Sequence, residues 1–216
     1  MKKILGAGSA SAIAAVLLLS VTGSGQALAQ QVNNLPVVQA VVKTATAVAT
    51  PVATAPAVAL GSDAAVAREA NVLQKAGWPL YALVDRFATG APLTDEANCI
   101  AVAVYHEARG ESPEGQMAVA KVIMNRAASG EYPASWCGVV KQPAQFSFVH
   151  HGRFPYVDQA SDAWRKALGV TRLAVANAVQ SVPTDCMWYH ADYVAPRWRN
   201  NLTRVNKIGA HIFYRA

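Results

Sequence analysis

The sequence predicts an α+β fold, mainly helical, with a small antiparallel β element. Capped stretches with helical apolar periodicity run from Ser62 to Gly130. A further helical pattern, "SDAWRKALGVTRLAVANAV", follows from Ser161. Short alternating runs, "QFSFVH", "MWYHADYV" and "RVNKIGAHIFYR", all fall after the first group of helices. Helices first, with strands set beside them, is the α+β arrangement.

The chain opens with a basic "MKK", an apolar "ILGAGSASAIAAVLLLSV" and a small-x-small "ALA" at Ala27–Ala29. That order describes an export signal over residues 1–29, cleaved after Ala29, with an uncleaved anchor as the alternative. Residues 30–61 are almost entirely Val, Ala, Thr and Pro, with no periodic face. Repeated Pro and missing aromatics favour an extended linker over a packed strand. Residues 62–93 then read as a helical N-terminal extension, and 94–216 as the domain that carries chemistry.

Each helix has local reasons to start and stop. Ser62 caps "SDAAVAREANVLQKAG", which closes on Gly77, and "WPLYALVDRFATG" forms a second short helix. Thr94 caps "LTDEANCIAVAVYHEARG", with acids in its first turn and Gly110 as its stop. Ser112 with Pro113 restarts the helix that ends at Gly130. "HGRFP" reads as a turn, and Gly169 as a point where the later helix breaks.

Formal charge is +6 for the whole chain and falls to +4 when Lys2 and Lys3 leave with the signal. A mildly basic exported protein suits an acidic polymer of the envelope, and nothing in the pattern points to nucleic acid. Three cysteines in such a chain suggest one disulfide and one thiol, and spacing leaves all three pairings open.

The anomaly is the polar pair His106–Glu107 in the last turn of a mostly apolar helix. A zincin would need His-Glu-x-x-His, but the position of the second His is Gly110. His150, His151, His190 and His211 are scattered, and there is no Cys-x-x-Cys. The expectation is therefore no metal and no cofactor, which removes a metalloprotease. Glu107 is then either a surface carboxylate paired with Arg109 or Lys121, or a buried acid set up for proton transfer. Periodicity does not separate the two.

The run "VYHEARGESPEGQMAVAKVIMNRAASGEYPASWCGVVKQPAQFSF" resembles the core of the SleB-type cell wall hydrolases, the spore cortex-lytic enzyme family. Its elements recur in order: aromatic-x-Glu-Ala-Arg-Gly-Glu, Glu-Gly-Gln, Asn-Arg, Cys-Gly-Val-Val and Gln-Phe-Ser. "WYHADYVAPRW" and "KIGAHIFYR" match the family's tail, so the resemblance covers about Cys99 to Arg215. It implies a lysozyme-like helical scaffold that cleaves the MurNAc–GlcNAc bond of peptidoglycan, with Glu107 as acid/base. Glu111 then fixes the helix corner, with Arg109 as its partner or as a binder of backbone carbonyls.

Hydrolysis with retention or inversion would need a second carboxylate, and no other acid sits in a matching motif. The resemblance thus favours a lytic transglycosylase, with Asp192 as the acid to watch. Water-based hydrolysis of the same bond, or a silent glycan-binding module, are the alternatives. Candidate substrate-binding residues are Tyr105, Asn125, Gln145, Phe146, Ser147, Tyr189 and His190, with Gln145–Ser147 opening a strand that lines the sugar cleft. Related sequences carry cysteines together at the places of Cys99 and Cys137, which implies a Cys99–Cys137 bridge and a free Cys186. The expected setting is the periplasm or envelope, as a monomer without stable membrane insertion.

Overall fold

The computed structural model describes residues 62–216; the signal and linker expectations fall outside the described residues. Six helices lead, α1 (Asp63–Lys75), α2 (Leu80–Arg86), α3 (Asp95–Ala108), α4 (Pro113–Ser129), α5 (Trp136–Lys141) and α6 (Asp162–Val175). Three strands follow, β1 (Cys186–Ala191), β2 (Thr203–Ile208) and β3 (His211–Arg215), with a 3-10 turn at Arg197–Asn201. The sheet is antiparallel in the order β1-β3-β2. The α+β, helix-dominated layout is as expected.

Side-chain caps start the helices where the sequence places them. Ser62, Thr94, Ser112 and Ser161 each accept a hydrogen bond from the backbone N–H three residues on. The central helix α3 is apolar all round from Cys99 to Tyr105, and every one of those residues is buried. A helix of that kind must be enclosed, and α4, α5 and α6 pack against it. Val66 and Ala70 of α1, with Leu83 and Val84 of α2, enter the same core, as does Phe87.

Gly169 does not break α6, which runs through it without interruption. A Cβ there would collide with the carbonyl oxygen of Val84, so the glycine permits the close approach of α2 to α6.

The strand expected at Gln145–His150 is absent. That segment is held by local turns, with Gln145 N–H donating to Gln142 O at 3.2 Å and Val149 N–H to Phe146 O at 3.1 Å. Ala144 at φ 61° and His151 at φ 52° bend the chain at either end. The alternating pattern arises because Phe146 is buried and Phe148 packs on the core, while Gln145 and Ser147 face outward. Alternate burial needs no strand partner. The expected "HGRFP" turn is present, closed by a bridge between His150 and Arg153.

Helix α5 is too short for its period to be read from sequence. Ser135 caps it, and the Glu96 carboxylate accepts from Trp136 N–H at 2.7 Å and Cys137 N–H at 3.2 Å. Cys99 and Cys137 are disulfide-bonded with Cα atoms 5.2 Å apart, fastening α5 to α3. Cys186 is free and buried.

Candidate active site

A cleft of about 650 Å³ opens where the last turn of α3 meets the sheet. Glu107 lies in its wall and is the only carboxylate among the lining residues. The helix corner after it is anchored through Glu111. Both oxygens of that carboxylate accept from Ala210 N–H at 3.1 Å, in the turn between β2 and β3. Gly209 sits so close to the Glu111 carboxylate that a Cβ would overlap it, and its φ of +58° is a second reason for glycine. Glu111 therefore fastens the α3–α4 corner to the hairpin. Arg109 takes neither of its expected roles; its guanidinium lies 5.1 Å from the centre of the Tyr105 ring.

Burial raises the Glu107 carboxyl above its ordinary range. A hydrogen bond from the Tyr189 hydroxyl to Oε2, long at 3.4 Å, opposes that rise. Neither Arg109 nor Lys121 pairs with it. Lys121 instead donates to Ala174 O at 3.2 Å and Asn177 Oδ1 at 2.7 Å. Tyr189 has its own pKa pushed well above 10, first by burial and then by Glu107, so it remains a neutral donor. Neighbouring His106 is held below its usual value, chiefly by burial and also by Arg109. Its ring stacks on Phe148, with centroids 4.9 Å apart.

The remaining candidates divide. Gln145, Phe146, Ser147, Tyr189 and His190 all line the cleft, the first three from a loop rather than a strand. Gln145 Oε1 accepts from Arg126 at 2.9 Å, and its amide N–H groups have no partner among the described residues. His190 is engaged at both nitrogens, Nδ1 with Ala191 O at 2.8 Å and Nε2 with Tyr214 Oη at 3.0 Å. A carbonyl can only accept, so Nδ1 carries the proton and Nε2 accepts from the phenol.

Tyr105 and Asn125 lie elsewhere. Residues two apart on a helix project to opposite sides, so Tyr105 turns into the core when Glu107 faces the cleft. Its ring meets Trp164 edge-on at 6.0 Å. Asn125 braces the start of β1, donating to Pro183 O and Cys186 O, each at 2.9 Å.

Cleft residues that were not among the candidate substrate-binding residues include Arg126, Trp188, Trp198 and His211. Arg126 is buried, donates to Met187 O at 2.7 Å, and lies 5.1 Å from the Tyr132 ring centre. The signals available were the Asn-Arg pair and the aromatic tail, but neither says which side chains turn inward. Asp192 is not among the lining residues; it is exposed and paired with Lys207 at 2.7 Å. No group of three or more His, Cys, Asp or Glu side chains gathers among the described residues.

One protonatable carboxylate in a polar, aromatic-lined cleft defines a single-acid site on a mainly helical α+β scaffold. Residues 110–214 match the Cell Wall Hydrolase family model, a segment that begins just past Glu107. The chain belongs to that family. It is 34% identical over 119 residues to the spore cortex-lytic enzyme of Bacillus subtilis, covering 55% of this chain and 37% of that protein. The Bacillus cereus spore cortex-lytic enzyme is 33% identical over 119 residues, covering 55% and 44%. The chain thus spans less than half the length of these relatives. A solved structure, the catalytic domain of the germination-specific lytic transglycosylase SleB from Bacillus anthracis, is 30% identical with a TM-score of 0.47. The match covers 59% of this chain and 99% of that domain.

Proposed function

We propose that this protein is an exported enzyme that cleaves the MurNAc–GlcNAc glycosidic bond of peptidoglycan as a lytic transglycosylase, with Glu107 as its acid/base. The observation that supports it most is that Glu107 lines the cleft without a second carboxylate beside it and makes no ion pair among the described residues. A raised pKa favours the protonated carboxyl, the form that protonation of a glycosidic oxygen requires.

In the first half-reaction Glu107 donates that proton to the bridging oxygen as the bond to muramic C1 breaks. The 6-hydroxyl of the same sugar then bonds to C1, and its proton passes to the Glu107 carboxylate. No water is consumed, and the new end is a 1,6-anhydro ring. Intramolecular attack has the advantage of proximity over a water that no second carboxylate activates. Asp192, the acid to watch from sequence, pairs with Lys207 and is not among the residues that line the cleft. Gln145, Ser147 and the aromatic walls are proposed to hold the sugars, and Tyr189 to orient the carboxyl.

The test is mass spectrometry of muropeptides released from purified sacculi. Anhydro-muramic ends, one water lighter than reducing ends, are the expected main product. They should vanish in Glu107→Gln and persist in Asp192→Asn. Reducing ends as the main product would replace this mechanism with hydrolysis, and binding without release would leave a glycan-binding module.

A further inference from the structure

Resting on the peptidoglycan reading, we infer that three arginines around Trp198 form a cationic rim that takes the free carboxylates of the peptides carried by the glycan. The 24 residues from Tyr193 to Ala216 hold five cations, Arg197, Arg199, Arg204, Lys207 and Arg215, and no acid. Lys207 and Arg215 are neutralised by Asp192 and Asp185. Arg197, Arg199 and Arg204 are exposed and take part in no ion pair or side-chain hydrogen bond among the described residues. Elsewhere on the surface Arg86 pairs with Glu69, and Arg165 and Lys166 with Asp162, while Arg68, Lys75 and Arg153 are single exposed cations well apart in sequence rather than a group.

Their position gives the unmatched charge a use. Trp198 lies between Arg197 and Arg199 in the 3-10 turn and lines the catalytic cleft. Its indole packs edge-on to His190 at 5.5 Å and Tyr214 at 5.7 Å, which fixes the turn to the sheet. With about three residues per turn, the neighbours of an inward Trp198 project to either side of it. Arg204 is paired across the sheet with Tyr214, the ring that Trp198 touches. Tyr193, 85% exposed, completes the same wall of the cleft. A sugar chain in the cleft would run past these guanidiniums, and the groups it carries outward are peptides that end in carboxylates. Guanidinium forks suit carboxylates geometrically, and unpaired rim charges speed the encounter with an oppositely charged polymer.

The experiment compares native sacculi with sacculi whose carboxylates have been capped as amides by carbodiimide and glycinamide. This removes the charge and leaves the glycan intact. Release of soluble muropeptides by the full chain should be about ten-fold faster from native sacculi at low salt. Arg197→Glu/Arg199→Glu should lose about ten-fold on native sacculi and less than about two-fold on capped ones. Arg197→Gln/Arg199→Gln should fall between, and serves if the charge-reversed pair does not fold. Equal wild-type rates on the two substrates, or an equal loss on both by a folded variant, would overturn the inference. Co-sedimentation of Glu107→Gln with the same two sacculi reads the charge dependence without cleavage. If the wild type released nothing from either substrate, the enzymatic reading would fail, while stronger sedimentation with native sacculi would still sustain the rim.

Discussion

Glu107 and Tyr189 are 82 positions apart and meet only through folding, at 3.4 Å. Because that bond lowers the Glu107 pKa while burial raises it, Tyr189→Phe should raise it further. The acid form would then survive to higher pH, so the alkaline limb of the cleavage profile should move upward. An unmoved limb would show that the long bond does not act on the carboxyl. Glu107→Gln should cut cleavage by at least about 10²-fold with the fold retained. The same variant carries a stability prediction. A carboxyl with a raised native pKa costs nothing below its unfolded value of about 4, and destabilises as pH climbs through the native value. Glu107→Gln should therefore melt higher than the wild type at neutral pH and lose that advantage in acid. Thermal unfolding at the two pH values checks the sign. At this scale the sequence left a surface ion pair and a buried acid as equal readings of Glu107. The family resemblance favoured the acid, and in the structure Arg109 and Lys121 are each turned to other partners.

Among the elements, the starts of α1, α3, α4 and α6 were legible because Ser and Thr caps act locally, within the next three residues. The Gln145–His150 segment was misread because alternation reports which side chains are buried, and a turn-rich loop can satisfy it as well as a strand. Gly169 was misread for the opposite reason, since its use depends on α2, more than 80 residues earlier in the chain. Gly169→Ala should destabilise by about 1–3 kcal/mol by forcing α6 away from the Val84 carbonyl. A denaturation midpoint within error of the wild type would contradict that packing. The Cys99–Cys137 bond closes a separation of 38 residues between α3 and α5. Replacing both cysteines with Ala should cost about 2–4 kcal/mol in oxidised protein. Cys186 offers no ready replacement partner, because burial pushes its thiol up to about 11 and leaves it protonated.

Taken as one molecule, the described chain has a continuous core in which Val66, Leu83, Val84 and Phe87 join residues of α3, α4 and α6. Residues 62–93 look separable in sequence, yet Phe87 and Leu83 are at most 1% exposed. A fragment starting at Thr94 would uncover that apolar face and lose several kcal/mol of burial, about 3–5 for a single large aromatic. It should lack the cooperative unfolding of residues 62–216, and a sharp thermal transition in the fragment would show that α1 and α2 are dispensable. What the sequence determined by itself was what acts over short spans: caps, helical periods, the helix-rich α+β class and the ordered motifs of a cell wall hydrolase family. The cleft was decided by tertiary structure. Its wall is assembled from α3, α4, the loop after α5, β1, β3 and the 3-10 turn, and chain proximity says nothing about which of their side chains converge. Tyr105 and Asn125 turn away from the cleft while Arg126 and His211 turn into it, because a helix or strand residue faces whatever its element is packed against. That packing is settled by burying the whole apolar surface at once.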